Sequence, residues 1–213
     1  MIGKGVLLEC LDHPEVTEVL SIGRRTLGMD HPKLKELIHK DFSEFESVAD
    51  ELMGYDACYH CMGVSAASMN EEQYTKMTYD YTMALAKVLH GVNSEMTFTY
   101  VSGQGTDSTE KGRAMWARVK GKTENDIINM GFKQAFAFRP GAIIPLRGIL
   151  PSSKLYRVLV KNLTWLLKLM KKLAPKSIVN TTQIGLAMIN VTMQGYHKAV
   201  VDPKDILILA GDQ

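Results

Sequence analysis

The sequence predicts an α/β protein, a doubly wound parallel sheet with helices on both faces. Three observations carry this. Short β-branched and aromatic runs alternate with segments of helical period along most of the chain. Helical segments separate most successive strands, which implies right-handed crossovers and parallel pairing. Several strands stop at glycine or proline, and in open parallel sheets such carboxyl ends border the crevice where ligands lie. A chain of 213 residues, 46% hydrophobic and 23% charged, suffices for one globular domain over 1–213.

Taken in order, Val6, Leu7, Cys10 and Leu11 share one helical face that His13-Pro14 ends. Val16 to Ile22 reads as a strand followed by Gly23-Arg24-Arg25, and Leu34 to His39 as a second strand leading into Asp41-Phe42. Ser43 to Met53 reads as a helix, with Ser43 as N-cap and Glu46 as its capping-box partner. Asp56 to Met62 is the next strand, closed by Gly63, and a long helix runs from Glu71 to His90. The strand Thr97 to Ser102, the helix Arg113 to Met130 and the strand Gln134 to Arg139 follow, the last ended by Pro140-Gly141. After Pro145 come a loop and an amphipathic helix over 153–173. A helix at Thr181 to Gln194, a strand at Ala199 to Val201 and a short helix from Pro203 complete the chain.

The net charge of +2 hides an asymmetry: residues 1–126 carry 13 Lys and Arg against 20 Asp and Glu, whereas 127–201 carry 11 basic residues and no acidic one. The basic segment should attract an anion. Its longest apolar run is too short and too interrupted by lysine to span a bilayer. The helix over 153–173 reads first as a cover for a substrate pocket, then as a contact with a second subunit or with the acidic half. Its last reading is contact with an anionic membrane surface. No nucleic-acid recognition module accompanies the charge, so no nucleic acid is expected. Met1-Ile-Gly-Lys-Gly lacks a signal peptide's apolar core, and three cysteines make no disulfide framework, so a cytoplasmic location is expected. Cys58-x-x-Cys61 falls on a strand, where residues three apart face opposite ways, so no metal site is expected. The histidines, in no ligand spacing, read as structural or surface residues.

Several motifs carry a resemblance to a known family. They are Ile2-Gly3 opening a helix, Gly23-Arg24-Arg25, Asp41-Phe42, Cys61-Met62-Gly63, Ser102-Gly103-Gln104-Gly105-Thr106-Asp107, Val119-Lys120-Gly121 with Glu124, and Phe138-Arg139-Pro140-Gly141. In this order the chain resembles the extended and atypical short-chain dehydrogenase/reductases. Within these it is similar to the compact NAD(P)-binding branch related to nucleotide-sugar epimerases and the Tat-interacting oxidoreductase. The resemblance implies a Rossmann-like fold, with 146–196 as a mostly helical substrate-side region, and a nicotinamide dinucleotide acting with a small-molecule substrate. It implies cofactor contacts at Gly3, Arg24, Arg25, Asp41, Phe42, Met62, Gly63, Lys120, Arg139, Pro140 and Gly141, and catalytic roles for Ser102 and Lys120. Arginines at 24 and 25 favour NADP over NAD, because a guanidinium accommodates a 2′-phosphate. Their alternative reading is a solvated pair after a strand. Asp41 and Phe42 would meet the adenine, or would simply cap the helix entered at Ser43. Lys120 reads otherwise as an ordinary solvated lysine.

Two departures qualify the resemblance. Gly3 corresponds to the last glycine of the family's G-x-x-G-x-x-G turn, while the first two glycines and the central first strand have no counterpart. The expectation is a chain that begins late relative to the natural gene product and binds dinucleotide more weakly than its relatives. At the family's Tyr-x-x-x-Lys this chain has Trp116-Ala-Arg-Val-Lys120, and an indole N–H is no practical proton donor. Any proton must then come from Lys120, Ser102, a water, or a tyrosine such as Tyr81 or Tyr156. The chain reads as an NADP-preferring oxidoreductase-like or epimerase-like protein, or as a non-catalytic NADP-binding sensor or interaction module.

Overall fold

The computed structural model describes residues 1–67, 69–149 and 177–212. The basic helix expected over 153–173, and Tyr156 with it, lie outside the described residues. The chain divides into two compact units: Met1–Lys40 with Pro140–Gln194 and Asp202–Gln213, and Asp41–Arg139 with Gly195–Val201.

In the first unit, helix α1 (Ile2–Asp12) buries Val6, Leu7, Cys10 and Leu11, the face read from the sequence. Strands β1 (Val19–Gly23) and β2 (Leu34–Ile38) pair in parallel, Val19 opposite Leu34 and Gly23 opposite Ile38. Two three-residue strands absent from the sequence reading, β6 (Ala142–Ile144) and β7 (Ile178–Asn180), also pair in parallel. Helix α5 (Thr181–Gln194) packs on α1 at very short range. A Cβ at Gly5 would stand 2.7 Å from Thr181 Cβ, and one at Gly185 would stand 2.7 Å from Glu9 Cγ. Helix α6 (Pro203–Leu209) starts at Asp202, whose capping box uses Asp205.

In the second unit, β3 (Ala57–His60), β4 (Thr97–Val101), β5 (Gln134–Phe138) and β8 (Val200–Val201) form one parallel sheet in that order. Every residue of β4 is buried, as expected for a strand with neighbours on both edges and helices around it. The expectation of parallel strands flanked by helices holds throughout. Among the described residues β1 pairs only with β2 and β3 only with β4, so each has an edge with no strand upon it.

The long helix read over Glu71 to His90 is α2 (Glu71–Thr75), a π-helical turn (Lys76–Asp80) and α3 (Tyr81–Val92). Asn70 caps it, exchanging hydrogen bonds with Gln73. The helix read over Ser43 to Met53 is a correction: the segment is a kinked 3₁₀ helix over Glu46–Leu52, with Phe45 rather than Ser43 at its cap. Asp41 Oδ1 accepts from both the amide and hydroxyl of Ser43, and Glu44 does the same for Ser47. These local bonds compete with an α-helical start, while Phe45 and Leu52, each 1% exposed, pin the segment to the core.

Helix α4 (Met115–Ile128) lies so close to the loop after β4 that a Cβ at Gly121 would stand 1.8 Å from the Asp107 carbonyl oxygen. Gly91, on α3, has nothing within 4 Å. Gly121→Ala is therefore expected to lose about 1–3 kcal/mol in chemical denaturation, whereas Gly91→Ala is neutral or gains about 0.5–1 kcal/mol. Equal effects at the two sites would contradict the close approach.

Candidate functional site

The carboxyl ends of β3, β4 and β5 gather the polar groups of the second unit. Helix α4 presents Lys120 and, one turn on, Glu124 toward them. Lys120 Nζ donates to the Ser102 carbonyl at 2.7 Å and stands 5.9 Å from the centre of the Tyr100 ring. Burial pushes the Lys120 pKa down to about 8, against an upward pull from the Glu124 carboxylate. It is not the solvated lysine of the plainer reading. The Ser102 hydroxyl donates to the Phe138 carbonyl at 3.2 Å, which ties the end of β4 to β5.

Glu124 is 1% exposed and accepts from Arg139 Nε at 3.0 and 3.1 Å, with a further bond from Nη2. Arg139 Nη2 also donates to the Ser108 hydroxyl at 2.5 Å. The guanidinium read from the sequence as a cofactor contact is thus engaged by α4 and by the loop after β4. That loop is further held by Asn125, which donates to the Ser108 carbonyl and the Glu110 carboxylate, and by Arg118, which donates to the Gly112 and Arg113 carbonyls. The Asp107 carboxylate accepts from Thr109 and from the Gly112 amide, and these bonds lower its pKa. Trp116 packs over the same loop: a Cβ at Gly105 would lie 3.2 Å from its Cη2.

His60, at the end of β3, is a group the sequence reading passed over as structural. It is 6% exposed, and its Nδ1 has no hydrogen-bond partner among the described residues. Its ring stacks on Tyr100, its register partner across the sheet, with centroids 5.7 Å apart, and on Phe98 at 6.1 Å. Burial, and then the Lys120 charge, push its pKa down to about 4, so it is neutral at physiological pH. The one signal available in the sequence is its place between Cys58 and Cys61 at a strand end. Asp41 and Phe42 are engaged locally, Asp41 by Ser43 and the Phe42 ring edge-on to Phe45 at 5.7 Å. Met62 and Gly63 follow β3, Gly63 with open space about it.

On the first unit, Gly3 lies in the opening turn of α1, which has neither a side-chain cap nor an acidic residue. Backbone N–H groups at such a terminus suit an anion. Arg24 and Arg25 are exposed immediately after β1, and neither guanidinium has a partner among the described residues. Pro140 is buried and Gly141 half-buried, just before β6.

Parallel strands whose carboxyl ends collect a lysine, a serine and a glycine-rich loop decide the architecture. The fold is that of the short-chain dehydrogenases/reductases. Solved structures of this fold superpose over nearly the whole chain. Helicobacter pylori ADP-L-glycero-D-manno-heptose-6-epimerase matches with TM-score 0.65 and 13% identity, covering 100% of this chain and 78% of that one. A short-chain dehydrogenase/reductase from Saccharomyces cerevisiae gives 0.65 and 13%, covering 100% and 95%. A monomeric L-threonine 3-dehydrogenase from a metagenome gives 0.67 and 12%, covering 95% and 73%. No family model matches. In sequence the chain is similar to protein HTATIP2 of Rattus norvegicus, 24% identical over 144 residues, and to mitochondrial fmp52 of Emericella nidulans, 27% over 150. These alignments take in 67% of this chain and only 58% and 63% of the two relatives. Mitochondrial FMP52 of Candida albicans is 23% identical over 222 residues, covering 100% of this chain and 91% of that protein. The comparisons bear out the resemblance in fold to short-chain dehydrogenases/reductases and epimerases. They also correct the expectation of a cytoplasmic location, since the FMP52 proteins are named mitochondrial. No described helix is long and apolar enough to cross a membrane.

The depressed Lys120 pKa has a defined consequence for stability. Between about pH 8 and the ordinary lysine value of 10.5 the unfolded chain holds a proton that the folded chain has released. Unfolding then takes up a proton, so stability rises with pH across that window, by about 3 kcal/mol in full. The raised thiol pKa values of Cys10 and Cys58 act oppositely above pH 9, so the measurement is the difference between wild type and Lys120→Met. That difference is expected to grow in favour of wild type from pH 8 to 10.5, and a flat difference would contradict the lowered pKa of Lys120.

Proposed function

We propose that this chain binds a nicotinamide dinucleotide, NADP in preference to NAD, and acts on a small molecule as an oxidoreductase or epimerase of the short-chain dehydrogenase/reductase type. The observation that carries the reading is Lys120, half-buried and bonded to the Ser102 carbonyl just after β4, with a pKa of about 8. The described residues fit such a cofactor piece by piece. On the first unit the uncapped opening turn of α1 suits phosphate and the unpartnered Arg24 and Arg25 suit a 2′-phosphate. On the second, Lys120 has donors beyond the one given to Ser102, and His60 Nδ1 is a buried polar atom with no hydrogen-bond partner among the described residues.

When bound, the nicotinamide supplies or accepts a hydride. The chain's own part is the proton. Trp116 cannot move one, and the Ser102 hydroxyl is bonded to the Phe138 carbonyl. An ammonium with a pKa near 8 can give a proton to a substrate oxygen and recover it near neutral pH, which is the requirement for general acid–base work. Arg139 serves the site by holding Glu124, and Asp107 by fixing the loop that Trp116 covers.

A second reading, a non-catalytic NADP-binding sensor or interaction module, is favoured by Trp116 standing where the Tyr-x-x-x-Lys motif of the resembled family has tyrosine. Titration of the full chain with NADPH and NADH, followed by a screen of carbonyl substrates, separates the two. NADPH oxidation that is lost in Lys120→Met is the expected outcome. Binding without turnover, unchanged in Trp116→Tyr, would establish the sensor. Arg24→Ala is expected to weaken NADPH by about tenfold or more, as loss of a charged hydrogen bond does, while sparing NADH. Equal losses would refute the 2′-phosphate assignment.

A further inference from the structure

The loop that carries the two arginines is held from below by a carboxylate. Glu36, on β2, uses both oxygens on it: Oε1 accepts from the Thr26 hydroxyl at 3.0 Å and Oε2 from the Leu27 amide at 2.8 Å. The Thr26 hydroxyl in turn accepts from the Gly28 amide at 3.1 Å. Gly28 has φ +64, the left-handed region where glycine is favoured. Glu36 pairs in register with Ser21, two residues before the end of β1 at Gly23. The chain therefore leaves β1, turns, and is tied back at the level of Ser21 by residues 26 and 27. Arg24 and Arg25 occupy the apex of that turn, exposed and without partners among the described residues.

We propose that Glu36 is the positioning residue of a 2′-phosphate site, anchoring the turn so that Arg24 and Arg25 are presented together to the anion. The inference rests on the assignment of NADP given above and deepens it. An unanchored turn would have to be ordered on binding, and that cost falls on the ligand that uses the arginines. NADH, which has no 2′-phosphate, is indifferent to it.

The sign of the effect separates anchoring from simple electrostatics. Removing a negative charge near two arginines should by field alone strengthen anion binding. Anchoring requires the reverse, because the carboxylate's geometry matters more than its charge. Glu36→Ala removes both acceptors. Glu36→Gln keeps an oxygen for the Leu27 amide and an NH₂ that can donate to the Thr26 hydroxyl.

The test is the ratio of NADH to NADPH dissociation constants for the full chain, checked with adenosine 2′,5′-bisphosphate against AMP, alongside hydrogen exchange at the Leu27 amide. Glu36→Ala is expected to lower the ratio at least fivefold and to speed Leu27 exchange, while Glu36→Gln stays within twofold of wild type in both. An unchanged or higher ratio in Glu36→Ala overturns the inference. The double variant Arg24→Ala/Arg25→Ala distinguishes the two levels. If it collapses the ratio while Glu36→Ala does not, the arginines read the phosphate and Glu36 does not position them. If neither variant moves the ratio, or wild type shows no preference, the NADP assignment fails and the positioning role with it.

Discussion

A carboxylate removed from water must be matched, and Glu124 is matched by Arg139. The pair joins α4 to the end of β5, and through Ser108 it also holds the loop that follows β4. Three segments distant in sequence are fixed by one charged contact. Breaking such a pair leaves a buried charge alone and costs about 3–5 kcal/mol, so the arrangement is all or nothing. Lys120 sits one helical turn before Glu124, and its place over the Tyr100 ring follows from where that turn is held.

The same closeness that makes the pair work restricts the sequence around it. Gly121 stands against the Asp107 carbonyl, where any side chain would collide, so α4 can approach the loop only at a glycine. The approach brings Trp116 over Gly105 and sets the half-buried Lys120 beside the Ser102 carbonyl. Burial there lowers the pKa of Lys120, against the upward pull of Glu124. The neutral His60, stacked on the same Tyr100 ring, places no second positive charge near Lys120.

The alternation of strand and helix was legible because long segments such as Thr181–Gln194 and the buried Thr97–Val101 state their period plainly. The positions of Ser102, Lys120 and Glu124 around one strand end follow from that alternation and from the motif spacing. Other features are set by contacts that a sequence does not display. Ser43 looked like an N-cap, but Asp41 takes its hydroxyl. Ala142–Ile144, between Pro140-Gly141 and Pro145, shows no strand pattern of its own in the sequence, yet β7 pairs with it. The π-helical turn at Lys76–Asp80 is invisible to a 3.6-residue pattern, and Thr82 there donates back to the Thr78 carbonyl. The family resemblance implies a cofactor contact for Arg139, while its engagement by Glu124 needs the third dimension. His60 and Glu36 have no motif at all; one is known by a buried nitrogen without a partner among the described residues and the other by the turn it ties down.

A double-mutant cycle on Glu124 and Arg139, read by equilibrium unfolding of the full chain, tests most directly whether this pair organises the strand ends. Arg139→Met alone should cost about 3–5 kcal/mol, and adding Glu124→Leu should recover most of it. Single losses that add in the double variant to within about 0.5 kcal/mol would show two independent side chains and contradict the account.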